Sequence, residues 1–210
     1  VVAGTVIVYM VTDRLRVRPT RAGKLCTLGQ LILVGYTLLA QRLDWQRIAW
    51  PVLGHAPLLA LGVAVSALVQ SAPSQDGGWW AWPLALAAHA FVLWRAAPRW
   101  RAQAAIAEPA LHTLGLLLLA ALGALQGRAI TRGWGDAASA WAWLGWLVVP
   151  AALLLLLRRP GVARLWPVRA APVAYRTHAA AVLAAGLLLW TLLANMTSTG
   201  AAAPLPHLPL

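Results

Sequence analysis

Apolar residues in this chain fall in long runs, not in stripes. LGLLLLAALGAL (114–125), WLGWLVVPAALLLLL (143–157) and AAAVLAAGLLLWTLLA (179–194) are apolar on every face of a helix. Such a helix is buried in lipid or inside a large bundle, and 210 residues cannot supply a large bundle. A spanning helix needs about 20 mostly apolar residues. On that measure the pattern predicts seven helices, at roughly 1–12, 25–40, 48–69, 79–97, 106–127, 138–157 and 178–196. The first is cut short, and the second, at sixteen residues, is brief for a full crossing. The runs are rich in Ala and Leu and lack the period-two alternation of a membrane barrel.

Polar punctuation separates the runs. SAPSQDGG (71–78) is a turn without a basic residue, and Trp79, Trp80 and Trp82 follow at once. RAAPRWRAQ (95–103) and RRPGVARLWPVRAAPVAYRTH (158–178) read as basic loops, and QGRAITRGWGD (126–136) is Gly-rich. Most of the thirteen tryptophans lie near these edges, where amphipathic rings anchor at the headgroup level. Down the chain the gaps hold five, two, zero, three, two and five basic residues. From residue 41 onward the richer gaps alternate with the poorer ones. The positive-inside rule then makes loops 41–47, 95–105 and 158–177 cytoplasmic and puts the Pro-Leu tail outside.

The opening stretch breaks this alternation. Arg14, Arg16, Arg18, Arg21 and Lys24 fall within eleven positions, on the side that the rest of the chain makes external. Either 25–40 does not span, or the first forty-odd residues follow a different plan. Composition agrees with the membrane reading: 61% hydrophobic, 10% charged, mean hydropathy +0.71. The net charge of +12 is spread over the gaps between apolar runs, as topology bias places it, and no basic recognition helix is present, so nucleic acid is excluded as a partner. Cys26 is the single cysteine, so no internal disulfide forms.

Ionisable groups inside a span are candidate functional groups, because inserting one costs roughly 2.5–3.5 kcal/mol. His89 sits in the middle of WPLALAAHAFVLW; it is a relay or ligand residue, or a neutral imidazole bonded to a neighbouring helix. Glu108 and His112 are four apart and share a helix face. The carboxylate could orient the imidazole, or Glu108 could act only as a cap at a helix start marked by Pro109. Asn195, Thr197 and Ser198 end the last run, where they cap C-terminal carbonyls or meet a headgroup. The five acidic residues, Asp13, Asp44, Asp76, Glu108 and Asp136, stand far apart. No carboxylate pair or His cluster has metal-ligand spacing, and no catalytic loop motif occurs.

Two resemblances follow from particular stretches. RLDWQRIAWP, DGGWWAWPLALAAHAFVLWR, EPALHTLGLLLLAALGAL and LLANMTSTGAAAPLPHLPL resemble a family of bacterial predicted membrane proteins, domain of unknown function 2339, over about 42–210. Asn195, Thr197, Ser198, Gly200, Pro204, Leu205, Pro206, Leu208, Pro209 and Leu210 fit its most specific run. That resemblance implies many helices and an inner-membrane location, with no reaction attached. VTDRLRVRPTRAGKLCTLGQLILVG resembles the C-terminal part of CDP-alcohol phosphatidyltransferases, through Pro19, Thr20, Gly23, Lys24, Thr27 and Gln30, with Cys26 where that pattern has Asn. It implies a cytoplasmic loop on an anionic headgroup, with Arg16, Arg18, Arg21 and Lys24 contacting phosphate. That family's Mg²⁺- or Mn²⁺-binding aspartates are not in this chain.

The expectation is therefore an all-α, polytopic transmembrane helix bundle of about six to seven spans, truncated at both ends. Residues 1–41 form a short transferase-tail-like segment and 42–210 the polytopic domain. The expected role is that of a multi-pass bacterial inner-membrane protein, an envelope or scaffold component, with no catalytic residues, no metal and no cofactor. Its partners are anionic lipid headgroups and other membrane helices. The alternatives are a phosphatidyltransferase fragment needing Mg or Mn, and a transporter-like bundle.

Overall fold

The computed structural model describes residues 55–69, 72–75, 78–100, 107–134 and 139–197, together with Ile32, Gly35 and Leu39. Among the described residues all regular structure is helical. The elements are α1 (His55–Val69), α2 (Gly78–Trp100), α3 (Ala107–Thr131), α4 (Trp141–Arg158), a single turn α5 (Pro160–Ala163) and α6 (Ala180–Thr197). A 3₁₀ turn, Arg132–Trp134, follows α3. A π-helical segment, Ala174–Ala179, leads into α6.

The expected helices at 79–97, 106–127, 138–157 and 178–196 are present, displaced by a few residues. The expected six to seven spans include runs that lie outside the described residues. Among the described residues, two helices are long and apolar enough to cross a membrane, Ala107–Thr131 and Ala174–Thr197. The apolar part of α4, Trp143–Arg158, is shorter. α2 has 23 residues, but Trp, Pro and His dilute its hydropathy. The expected runs 1–12 and 25–40 and the residues before His55 lie outside the described residues, apart from Ile32, Gly35 and Leu39.

The basic loop expected at 158–177 is also shorter. Arg159 is extended (φ −67°, ψ 131°) and ends α4, because the residue before a proline is driven out of the helical region. Tight turns run on to Ala170, with Arg169 N–H bonded to the Leu165 carbonyl at 2.9 Å. The helix resumes at Pro172, where the missing N–H costs nothing. Tyr175 and Arg176, read from sequence as loop, thus belong to the last helical stretch.

α3 is the centre of the bundle and touches α1, α2, α4 and the π segment. Leu118 and Leu122 pack with Leu59, Val63 and Ala85. Leu116 and Ala120 pack with Leu157, Tyr175, Ala179 and Leu183. α3 meets α4 backbone to backbone. A methyl group on Gly127 would stand 3.0 Å from the Gly145 Cα, and one on Gly145 would collide with the Arg128 amide and the Ala124 carbonyl. Gly123 and Gly127 form the four-residue small spacing that lets helices close up where lipid offers no hydrophobic drive. Thr131, Thr191 and Thr197 hydroxyls donate to the Gly127, Leu187 and Leu193 carbonyls, and the Asn195 amide donates to Thr191 O at 2.8 Å. These hydroxyl and amide groups are thus satisfied by the backbone of their own helices, as suits a dry environment.

Two further bonds order the ends of the bundle. Ser74 N–H donates to Gln126 Oε1 at 3.1 Å, tying the α1–α2 turn to the C-terminal end of α3. At the other end, Thr113 Oγ1 donates to the Ala174 carbonyl at 3.2 Å.

Candidate functional site

His112 lies in the second turn of α3 and Tyr175 in the π segment, 63 residues apart in sequence, with His112 Nδ1 3.0 Å from Tyr175 Oη. The rings meet edge to face, with centroids 5.4 Å apart and planes at 69°. Both are buried, 1% and 5% exposed. The π segment places Tyr175 there. Its wider turn shifts the side chains by a fraction of a turn relative to an α-helix. The Thr113–Ala174 bond, one residue along on each element, fixes the same crossing. Leu116, Ala174 and Ala179 share a buried apolar cluster with Tyr175.

An imidazole and a phenol at this distance can bond in either of two proton arrangements. The phenol donates to a bare Nδ1, or a protonated Nδ1 donates to the phenolic oxygen. His112 Nε2 is buried and has no hydrogen-bond partner among the described residues. The site therefore holds one satisfied bond and one open nitrogen in an apolar surrounding.

The expected pairing of Glu108 with His112 is not what orients the ring. Glu108 is partly exposed in the first turn of α3, and the imidazole is held by Tyr175 instead. The i, i+4 spacing puts two side chains on one face but does not fix which neighbour the ring turns to. His89 is 4% exposed and packs against α3 at Gly115, where a methyl group would collide with its ring. Gly115 lies one turn beyond His112, so the His89 ring of α2 and the His112 ring of α3 itself both sit at the N-terminal half of α3. Among the described residues no group of three His, Cys, Asp or Glu could hold a metal ion. Arg16, Arg18, Arg21 and Lys24 lie outside the described residues.

Tyr175 and Thr113 were not singled out in the sequence. Tyr175 reads there as one more polar residue in a basic, proline-containing stretch, and nothing local marks its partner. Gly123 and Gly127 carried a legible signal, since their spacing alone marks a close helix approach.

No characterised protein and no solved structure matches the chain. The family model described as a predicted membrane protein does match, and its match runs without a break across residue 41, where two segments were expected to meet. Its description agrees with the two span-length apolar helices and with the packing of α3 against α4. The chain belongs to the DUF2339 family of predicted membrane proteins, matched over residues 1–209.

Proposed function

We propose that this chain is a multi-pass protein of the bacterial inner membrane and acts as a structural envelope component, working through helix packing and not through catalysis on a cofactor. The observation that carries the reading is the outer face of the bundle. Val182, Leu188, Leu189, Leu192, Leu193 and Met196 on α6 are exposed, Met196 by 84%. Residues 179–197 hold no charged side chain. Such a continuous apolar patch is foreign to a water-facing surface. At 24 residues the stretch from Ala174 reaches about 36 Å, against about 30 Å of hydrocarbon. Trp79 and Trp134 are exposed toward one end of the bundle and Trp94 and Trp166 toward the other, an arrangement that suits two interfacial belts.

The end-to-end bonds support the orientation read from charge. The turn at 72–75 shares an end with Gln126, and the start of α3 shares the opposite end with the basic stretch 158–176. Anionic headgroups on the cytoplasmic side are the expected partners of that basic end. Thiol labelling tests this reading. In a Cys26→Ser background, Gln75→Cys should react with an impermeant reagent on intact cells, and Arg164→Cys only after permeabilisation. Labelling of both from the same side, or release of the protein by alkaline carbonate, would overturn it.

A transport-type bundle is the second reading, favoured by the buried His112–Tyr175 pair beside a π segment. Ionisable groups and irregular helix inside a span mark substrate or proton paths. Proteoliposomes holding the chain would then leak protons under a potential, and His112→Leu would abolish the leak. Tight proteoliposomes would leave the structural role standing.

A further inference from the structure

Beside the turn that joins α5 to the π segment lies an open apolar groove of about 310 Å³, lined by Ala90, Phe91 and Trp94 of α2 and by Trp166. Phe91 and Trp94 pack at 6.2 Å between ring centroids and form one wall. Trp94 is 58% and Trp166 42% exposed, so the groove opens on the outside of the bundle. Its lining offers almost no polar atom, so a polar small molecule finds nothing to bond to inside it.

The rim differs in chemistry from the floor. Arg164 and Arg169 flank Trp166 within three residues and are exposed, as are Arg158, Arg159 and Arg176. The turn that presents them is held by Arg164 N–H to Gly161 O at 3.2 Å and Arg169 N–H to Leu165 O at 2.9 Å. No Asp or Glu follows Asp136 in the chain. The one carboxylate at this end of the described bundle is Glu108. The described residues at this end thus carry five exposed arginines against one carboxylate, and an apolar slot with a cationic rim complements a molecule with a hydrocarbon tail and a phosphate head.

We propose that this groove is a specific site for one anionic glycerophospholipid, with an acyl chain lying along Phe91, Trp94 and Trp166 and the phosphate resting on Arg164 and Arg169. The site deepens the membrane reading, on which it rests. It differs from general attraction to an acidic leaflet in having a shaped floor: binding requires both the slot and the charge. Arg side chains suit the phosphate because their planar forks accept two oxygens at once.

The test is native mass spectrometry of the full chain in a mild nonionic detergent, with phosphatidylglycerol and phosphatidylcholine of the same chains added in competition. The wild type should retain one phosphatidylglycerol in preference, by about fivefold for each of the two arginines. The preference should shrink as volatile salt is raised. Arg164→Gln with Arg169→Gln should bring the two lipids to equal retention. Ala90→Phe, which fills the slot, should lower retention of both. Equal retention of the two lipids by the wild type overturns the proposal without any variant, and so does a preference that survives the double charge removal. Failure of the membrane reading is seen separately, as release of the unmodified chain from membranes by carbonate.

Discussion

His112 Nδ1 lies 3.0 Å from the phenolic oxygen of Tyr175, across the crossing of α3 and the π segment. Neither side chain reaches water, and each is the other's polar partner. The bond therefore couples the start of one span-length helix to the start of the other. Tyr175→Phe removes the hydroxyl and leaves Nδ1 unsatisfied in an apolar site. The thermal midpoint in detergent should fall, corresponding to about 0.5–2 kcal/mol, the range of interhelical bonds in membranes and of buried donors left bare. His112→Leu with Tyr175→Phe should cost less than the two single changes added together. Additive losses would mean that the bond is not formed.

The close approach of α3 and α4 rests on the absence of a side chain at Gly145. Gly145→Ala forces a methyl group into the backbone of the facing helix, and overpacking of that kind costs about 1–3 kcal/mol. Gly186 on α6 is the control, since nothing lies within 4 Å of a methyl group built there. Gly186→Ala should leave stability unchanged or raise it by about 0.5–1 kcal/mol through lost freedom of the unfolded chain. Parallel unfolding curves of the two variants check the contrast.

His89 and Gly115 form a matched pair of large and small. Gly115→Ala should destabilise the bundle, because the imidazole of His89 occupies the space. Removing the ring first should relieve that conflict. His89→Ala with Gly115→Ala is expected to be no worse than His89→Ala alone, with a coupling of about 0.5–3 kcal/mol. A double variant as weak as the sum of its parts would show that the two residues do not touch.

Leu188 is 66% exposed in the middle of the last apolar stretch. On a protein surface in water, an arginine there would be harmless. In a lipid-facing position it should oppose insertion by about 2.5–3.5 kcal/mol. Leu188→Arg should therefore lower the carbonate-resistant fraction in membranes, and Leu183→Ala, a buried change on the same helix, should affect stability more than insertion. Normal insertion of Leu188→Arg would argue that α6 does not face lipid.

How far the sequence led can be judged residue by residue. The runs at 106–127 and 178–196 predicted helices, and Ala107–Thr131 and Ala174–Thr197 are, among the described residues, the two of span length. The runs at 79–97 and 138–157 became helices as well, the first diluted in hydropathy by Trp, Pro and His and the second with an apolar part, Trp143–Arg158, that is shorter than the two span-length helices. Asn195 and Thr197, left between capping and headgroup contact, turn back to carbonyls one turn earlier. Glu108 and His112 shared the expected face, yet the ring found Tyr175.

The sequence by itself determined that the chain is helical and apolar enough for a membrane. Both properties are one-dimensional: they depend on the length of an apolar run, the rise of a helix and the proline or glycine that stops it. Only the tertiary structure decided where the last helix starts, which face of α6 stays uncovered, that Gly127 meets Gly145, and that Tyr175 is the partner of His112. Those relationships join residues far apart in the chain, and they exist only once α3 has packed against α4 and the π segment. A hydrogen bond is set by the meeting of two surfaces, and no local pattern encodes which surfaces will meet.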